Sequence, residues 1–175
     1  MVAAVALASG IAPASGESQD ALLARVQAAY NVQCNDLIAN DFTSFEKTLS
    51  PNFSASVNGQ TVTRNYIVTQ LRGFAAQGRV TKCTTTIASV QESSNVVIAV
   101  VNQQLDGTLS DGTHTAPVEI DAGKRDMWSD VAGALEQTTS VSLWTLTYVN
   151  GELKGQSGTP PSTPPLSLPT SSPEP

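Results

Sequence analysis

Asp20–Asn40 reads DALLARVQAAYNVQCNDLIAN, and the reading of this stretch decides the fold. Leu22, Leu23, Val26, Tyr30, Cys34, Leu37 and Ile38 recur at spacings of three and four, which places them on one face of a helix. Gln27, Asn31, Asn35 and Asp36 fall largely elsewhere. An oily helical stripe needs a partner surface, and the second half of the chain offers extended segments to cradle it.

Downstream, Asn40-Asp41 breaks the helical pattern. Thr43 and Glu46 have the spacing of a capping box for a second short helix, which must end before Pro51. Asn52–Val57, the turn pair Asn58-Gly59 and Gln60–Val62 predict a tight hairpin. A third helix follows a cap at Thr61 or Thr63, with Ile67, Leu71, Phe74 and Ala75 as its apolar face and Gly78 as its stop. Beyond Gly78 the period changes from helical to extended. Strands are predicted over 79–92 and 96–105, and the run VVIAVV at 96–101 reads as a central strand covered on both faces. The stretch 106–136 carries seven acids and no clear period. Strand character returns at 138–149, with Val141, Leu143, Thr147 and Val149 on one face and Trp144, Leu146 and Tyr148 on the other. Asn150-Gly151 then turns the chain into a last strand, 152–156. Helices followed by a run of antiparallel strands make an α+β domain.

The 175 residues suit one domain with attachments. Residues 1–15 hold a short apolar run ending in Ala12-Pro13-Ala14, a small-x-small pattern that reads as a signal peptide and implies export to a periplasmic or extracellular space. No Lys or Arg precedes Arg25, so an Ala-rich terminus is the other reading. Residues 16–158 form the predicted domain. Residues 159–175 are Pro, Ser and Thr with little apolar content and are expected to be disordered. No stretch is apolar for long enough to span a bilayer. The net charge is −6 and the nine basic residues are scattered, which argues against nucleic acid as a partner. Cys34 and Cys83 either pair across a loop of about 50 residues or sit in the core as small hydrophobes. Two thiols and a single histidine, His114, do not complete a metal site, and neither a metal nor a cofactor is expected.

Three features together resemble the nuclear transport factor 2-like superfamily, in its SnoaL-like branch. They are the helix ending in Ile38-Ala39-Asn40-Asp41-Phe42, the approach Leu49-Ser50-Pro51-Asn52-Phe53 to the hairpin, and the closing LWTLTYVNGELK at 143–154. The resemblance covers about Asp20–Gly158 and implies a cone, in which a strongly curved antiparallel sheet wraps the N-terminal helices around a pocket. Against that pattern, 106–136 is an insertion or a long pair of strands.

Enzymes of this family place acids and bases inside the cone. The isomerase type needs a carboxylate near Val57 or Asn58, and neither ionises. The dehydratase type needs a histidine pair, and only His114 exists. The epoxide hydrolase type needs an Asp-Arg-Asp set; Arg125, Asp126 and Asp130 have the residue types, but neighbours on a strand diverge. With no matched acid–base pair, no catalytic residue is assigned. The expected function is an exported, non-catalytic small-ligand-binding or assembly domain. Tyr30, Phe53 and Trp144 are its candidate pocket lining, a small hydrophobic molecule its ligand, and a homodimer across the apolar last strands its assembly. The alternative is a SnoaL-like lyase, isomerase or cyclase that uses Tyr30 and an unplaced acid.

Overall fold

The stripe at the start of the chain is buried largely as its spacing requires. In the computed structural model, which describes residues 17–57 and 59–161, helix α1 (Gln19–Ala39) buries Leu22, Val26, Tyr30, Gln33, Cys34 and Leu37. Leu23, at the stripe's margin, stays exposed. Ser18 caps the helix by accepting from the Ala21 N–H, and Asn40 ends it in the left-handed region at φ 56°. Helix α2 (Phe42–Lys47) follows at once. Its cap is Asp41, which accepts from the Ser44 N–H, and not the Thr43–Glu46 box: the chain has already turned, so Asp41 reaches the free amides first. Strands β1 (Leu49–Val57) and β2 (Gln60–Thr63) form the expected hairpin, and Thr63 caps helix α3 (Arg64–Ala75).

Four long strands follow: β3 (Gly78–Ser93), β4 (Val96–Ser110), β5 (Thr115–Val131) and β6 (Ala134–Val149), with β7 (Glu152–Gly158) as a short return. The stretch 106–136 is therefore the long pair of strands and not an insertion; β4 and β5 pair without interruption from Val96–Ser129 to Ser110–Thr115. The sheet order is β2-β1-β6-β5-β4-β3, and β7 also pairs with β6. The pairing is antiparallel except at one place. β1 runs parallel to β6, which is possible because the whole of β2, α3 and β3–β5 serves as the crossover between them. The curved sheet is thus mixed, and it wraps the N-terminal helices.

Two core clusters fill the concave side. One joins Leu22, Val26 and Tyr30 of α1 to Val90, Val97, Ala99, Val101 and Trp128. The other gathers Leu37, Phe45, Leu49, Phe53, Ala55 and Val68 where α1, α2, α3 and β1 meet. The run VVIAVV is fully buried on one face only: Val97, Ala99 and Val101 are at zero exposure, while Val96, Ile98 and Val100 stay half-buried. A disulfide between Cys34 and Cys83, with Cα atoms 5.3 Å apart, ties α1 to β3. The leader assigned to 1–15 and the tail from residue 162 onward lie outside the described residues.

Candidate functional site

The second cluster does not close. Between α1, α2, α3, β1 and the concave face of β4–β6 lies a cavity of about 260 Å³, walled by Phe45, Phe53, Ala55, Ile120, Ala122 and Ser140 among others. A second, largely apolar cavity of about 350 Å³, with Gln70 and Asp106 as its polar members, continues beneath α3 and shares the walls Leu37, Ile67 and Ile120. Short side chains explain the hollow. Ala55, Ala122, Ser140 and Ser142 occupy positions on β1, β5 and β6 where a longer residue would reach the helices.

Alternation along β5 selects what faces this interior. Val118, Ile120, Ala122, Lys124, Asp126 and Trp128 are the even positions of a strand whose register shifts fall on β6 and not on β5 itself. Lys124 therefore points into the cone. Its Nζ donates to Gln103 Oε1 at 2.8 Å, and Gln103 Nε2 donates to Thr85 Oγ1 at 3.2 Å. On the opposite wall Gln33 Nε2 donates to Gln137 Oε1 at 2.9 Å and to Thr48 Oγ1 at 3.0 Å. Ser142 and Thr145 share a hydroxyl pair at 3.0 Å.

Asp126 lies one step deeper. It is completely buried, its Oδ2 accepts from Tyr30 Oη at 2.7 Å, and its Oδ1 accepts from Ser140 Oγ at 2.6 Å. Trp128 packs edge-on against Tyr30 with ring centroids 5.0 Å apart. Burial, followed by the Asp126 charge and hydrogen bond, pushes the Tyr30 phenol far above its ordinary value, so it remains a neutral donor to the carboxylate. Only Ser140 of this trio belongs to the cavity wall.

The sequence-predicted residues separate accordingly. Phe53 lines the cavity. Tyr30 is at zero exposure in the closed cluster and is no part of the wall. Trp144 lies across Gly123, on the face opposite Ala122 and Thr145; a Cβ at Gly123 would overlap its indole. The cause is a bulge at Leu143: Gly123 pairs with Trp144 and Lys124 with Ser142, so the faces of β6 exchange there. Leu143 and Trp144 thereby join Val141, Leu146 and Tyr148 on the outer side. Arg125 is exposed on the outer face and Asp130 pairs with Arg25, so the Arg125–Asp126–Asp130 set is not brought together. His114 is 86% exposed beside Asp111 in the β4–β5 turn. Asp111 itself is held down at about 2 by the backbone N–H groups of His114 and Thr113. The residues that sequence reasoning missed are Lys124 and Ser140, and the role of Asp126. Their signal was the alternation Val118, Ile120, Ala122 and Trp128, which two charged residues interrupt.

No sequence-family model matches the chain, and no curated protein matches its sequence. Solved structures do match its shape. An NTF2-like protein from Cytophaga hutchinsonii superposes with a TM-score of 0.53 at 14% identity, over 67% of this chain and 93% of that one. The chain has the nuclear transport factor 2-like fold. A ketosteroid isomerase-like protein from Erwinia carotovora atroseptica gives a TM-score of 0.55 at 13% identity, over 69% and 93% of the two chains. Aln2 from a Streptomyces species gives 0.52 at 19% identity, over 72% and 91%. In the nuclear transport factor 2-like fold of this chain, the cone interior is the space just described. Among the described residues no group of three or more His, Cys, Asp or Glu is placed to hold a metal ion, and no helix is long and apolar enough to cross a membrane.

Proposed function

We propose that the cone binds a small, largely apolar molecule and performs no chemistry on it. The observation that carries this reading is the division of the interior. The cavity wall combines apolar side chains with amides, hydroxyls and one ammonium, Lys124, while the buried acid, Asp126, is sealed behind Ser140 with both oxygens already accepting hydrogen bonds. Concave apolar cavities with a few convergent polar groups are the usual form of small-molecule sites. The test is a titration with the neutral probe 3-phenylpropan-1-ol, followed by amide NMR shifts. Shifts are expected at Phe53, Ala55 and Ala122 and are expected to vanish in Ala122→Leu, which fills the space. Absence of saturable shifts, or the same shifts in Ala122→Leu, rejects the reading.

A second reading, a lyase, isomerase or cyclase, draws support from one feature: Tyr30 and Asp126 form a buried hydroxyl–carboxylate pair that Ser140 links to the cavity. It requires turnover. A small β,γ-unsaturated ketone incubated with the protein, with conjugation read by ultraviolet absorbance, gives no product if the first reading holds. Product formation that Asp126→Asn abolishes establishes the second.

Export is part of the proposal, supported by the Cys34–Cys83 disulfide, since such bonds persist in oxidising compartments. So is a homodimer through the outer face of the sheet. Ile98, Val100, Met127, Val141, Trp144 and Leu146 stay half-buried there, with Leu143 45% exposed. A monomer by light scattering excludes the dimer.

A further inference from the structure

The geometry points to a carboxylate on the ligand, held by Lys124 inside the cone; this rests on the binding role proposed above. Lys124 is half-buried, lines the cavity, and uses one of its three ammonium donors on Gln103 Oε1 at 2.8 Å. The ion pairs among the described residues engage Arg25, Arg64, Arg72, Lys82, His114 and Lys154, and Lys124 enters none of them. The wall of its cavity contains no Asp or Glu. A cation facing an apolar space without a counter-ion is costly to keep, because desolvation is not repaid by an ion pair.

The surrounding residues narrow the class of anion. Gln103 is itself held by Thr85, which fixes the amide that orients the ammonium. Ser142 and Thr145 add hydroxyls to the same wall, one proton of the pair being left over from their mutual hydrogen bond, while the Ser140 proton is already given to Asp126. One cation beside a neutral hydroxyl suits a singly charged carboxylate; a phosphate dianion needs further positive charge, and the cavity wall supplies none. Asp126 sits two residues further along the same face and contributes negative charge. Its oxygens are taken by Tyr30 and Ser140, so it gives Lys124 no direct partner. The largely apolar cavity beneath α3, whose one acid, Asp106, is paired with Lys82, takes the remainder of such a molecule. The ligand class is an amphipathic monocarboxylic acid with a short apolar body.

The experiment compares 3-phenylpropanoate with 3-phenylpropan-1-ol by titration calorimetry on the full chain, the two probes differing only in the charged end. Wild type is expected to bind the acid about tenfold or more tightly than the alcohol, the range of a charge-assisted hydrogen bond. Lys124→Met is expected to bring the two within about twofold, chiefly by weakening the acid, and Lys124→Arg to retain the preference. Equal affinities in wild type overturn the inference whatever the variants do, and so does a preference that survives in folded Lys124→Met. Binding of the alcohol without preference for the acid leaves the binding role standing and removes the carboxylate. Binding of neither probe removes both.

Discussion

Toward the β3–β4 turn, α1 meets the sheet through Val26, Tyr30, Val97, Ala99, Val101 and Trp128, all at zero exposure. Further along the same helix, around Gln33 and Leu37, the same β4 and β5 stand away from the helices and leave cavities. Aromatic bulk accounts for the contrast. At the closed end Trp128 and Tyr30 fill the gap, and Asp126 accepts from the Tyr30 hydroxyl that remains. At the hollow end the matching positions carry Ala122, Ser140 and Ser142. One sheet thus supplies a rigid base and a vacant chamber by changing only side-chain size. The disulfide sits between them, at Cys34, and anchors the helix where packing begins to thin.

Removing the acid of the closed end should break this contrast most severely. Asp126→Ala strands the Tyr30 and Ser140 hydroxyls, and losing the buried network is expected to cost about 3–5 kcal/mol in urea denaturation. A cost below about 1 kcal/mol, no more than one ordinary hydrogen bond, would mean the closed end is not held by that network. Replacing both cysteines by serine should cost about 2–4 kcal/mol by the same measurement, because a cross-link over a sequence separation of 49 constrains the unfolded chain. Paired enlargements sharpen the comparison directly. Ala99→Leu in the closed end should lose about 1–3 kcal/mol through overpacking, whereas Ala122→Leu in the hollow end should change stability by less than about 1 kcal/mol. Equal costs would show that the chamber collapses in solution.

The last effect is confined to alkaline pH. Tyr30 ionises near its ordinary value of 10.0 once unfolded and far higher when folded, so the unfolded state holds fewer protons at alkaline pH. Its stabilisation is complete below about pH 10 and is lost as pH rises beyond it, at up to about 1.4 kcal/mol per pH unit. Tyr30→Phe is expected to flatten that part of the stability profile. An unchanged slope would place the titration elsewhere.

Much of the fold was legible from residue order. The spacing of Leu22, Val26, Tyr30, Cys34 and Leu37, the turn pairs Asn58-Gly59 and Asn150-Gly151, and the change of period at Gly78 are local signals, and local signals survive in a bare sequence. The candidate site was less so. Phe53 was named, but Lys124 and Ser140 were not. Trp144 was named as lining, yet a bulge at Leu143 exchanges the faces of β6 and turns its indole outward. Strand alternation in 106–136 was obscured by the inward-pointing polar residues that give the interior its chemistry.

By itself, the sequence determined the order of the helices and of the strands outside 106–136, and that the first helix has one face to bury, since those depend on neighbours a few residues away. Only the tertiary structure decided that β1 lies parallel to β6, that Cys34 meets Cys83, that Asp126 meets Tyr30 from 96 positions away, and that a chamber stays open beside Lys124. Those outcomes turn on register and side-chain volume summed over distant segments, which no local pattern encodes.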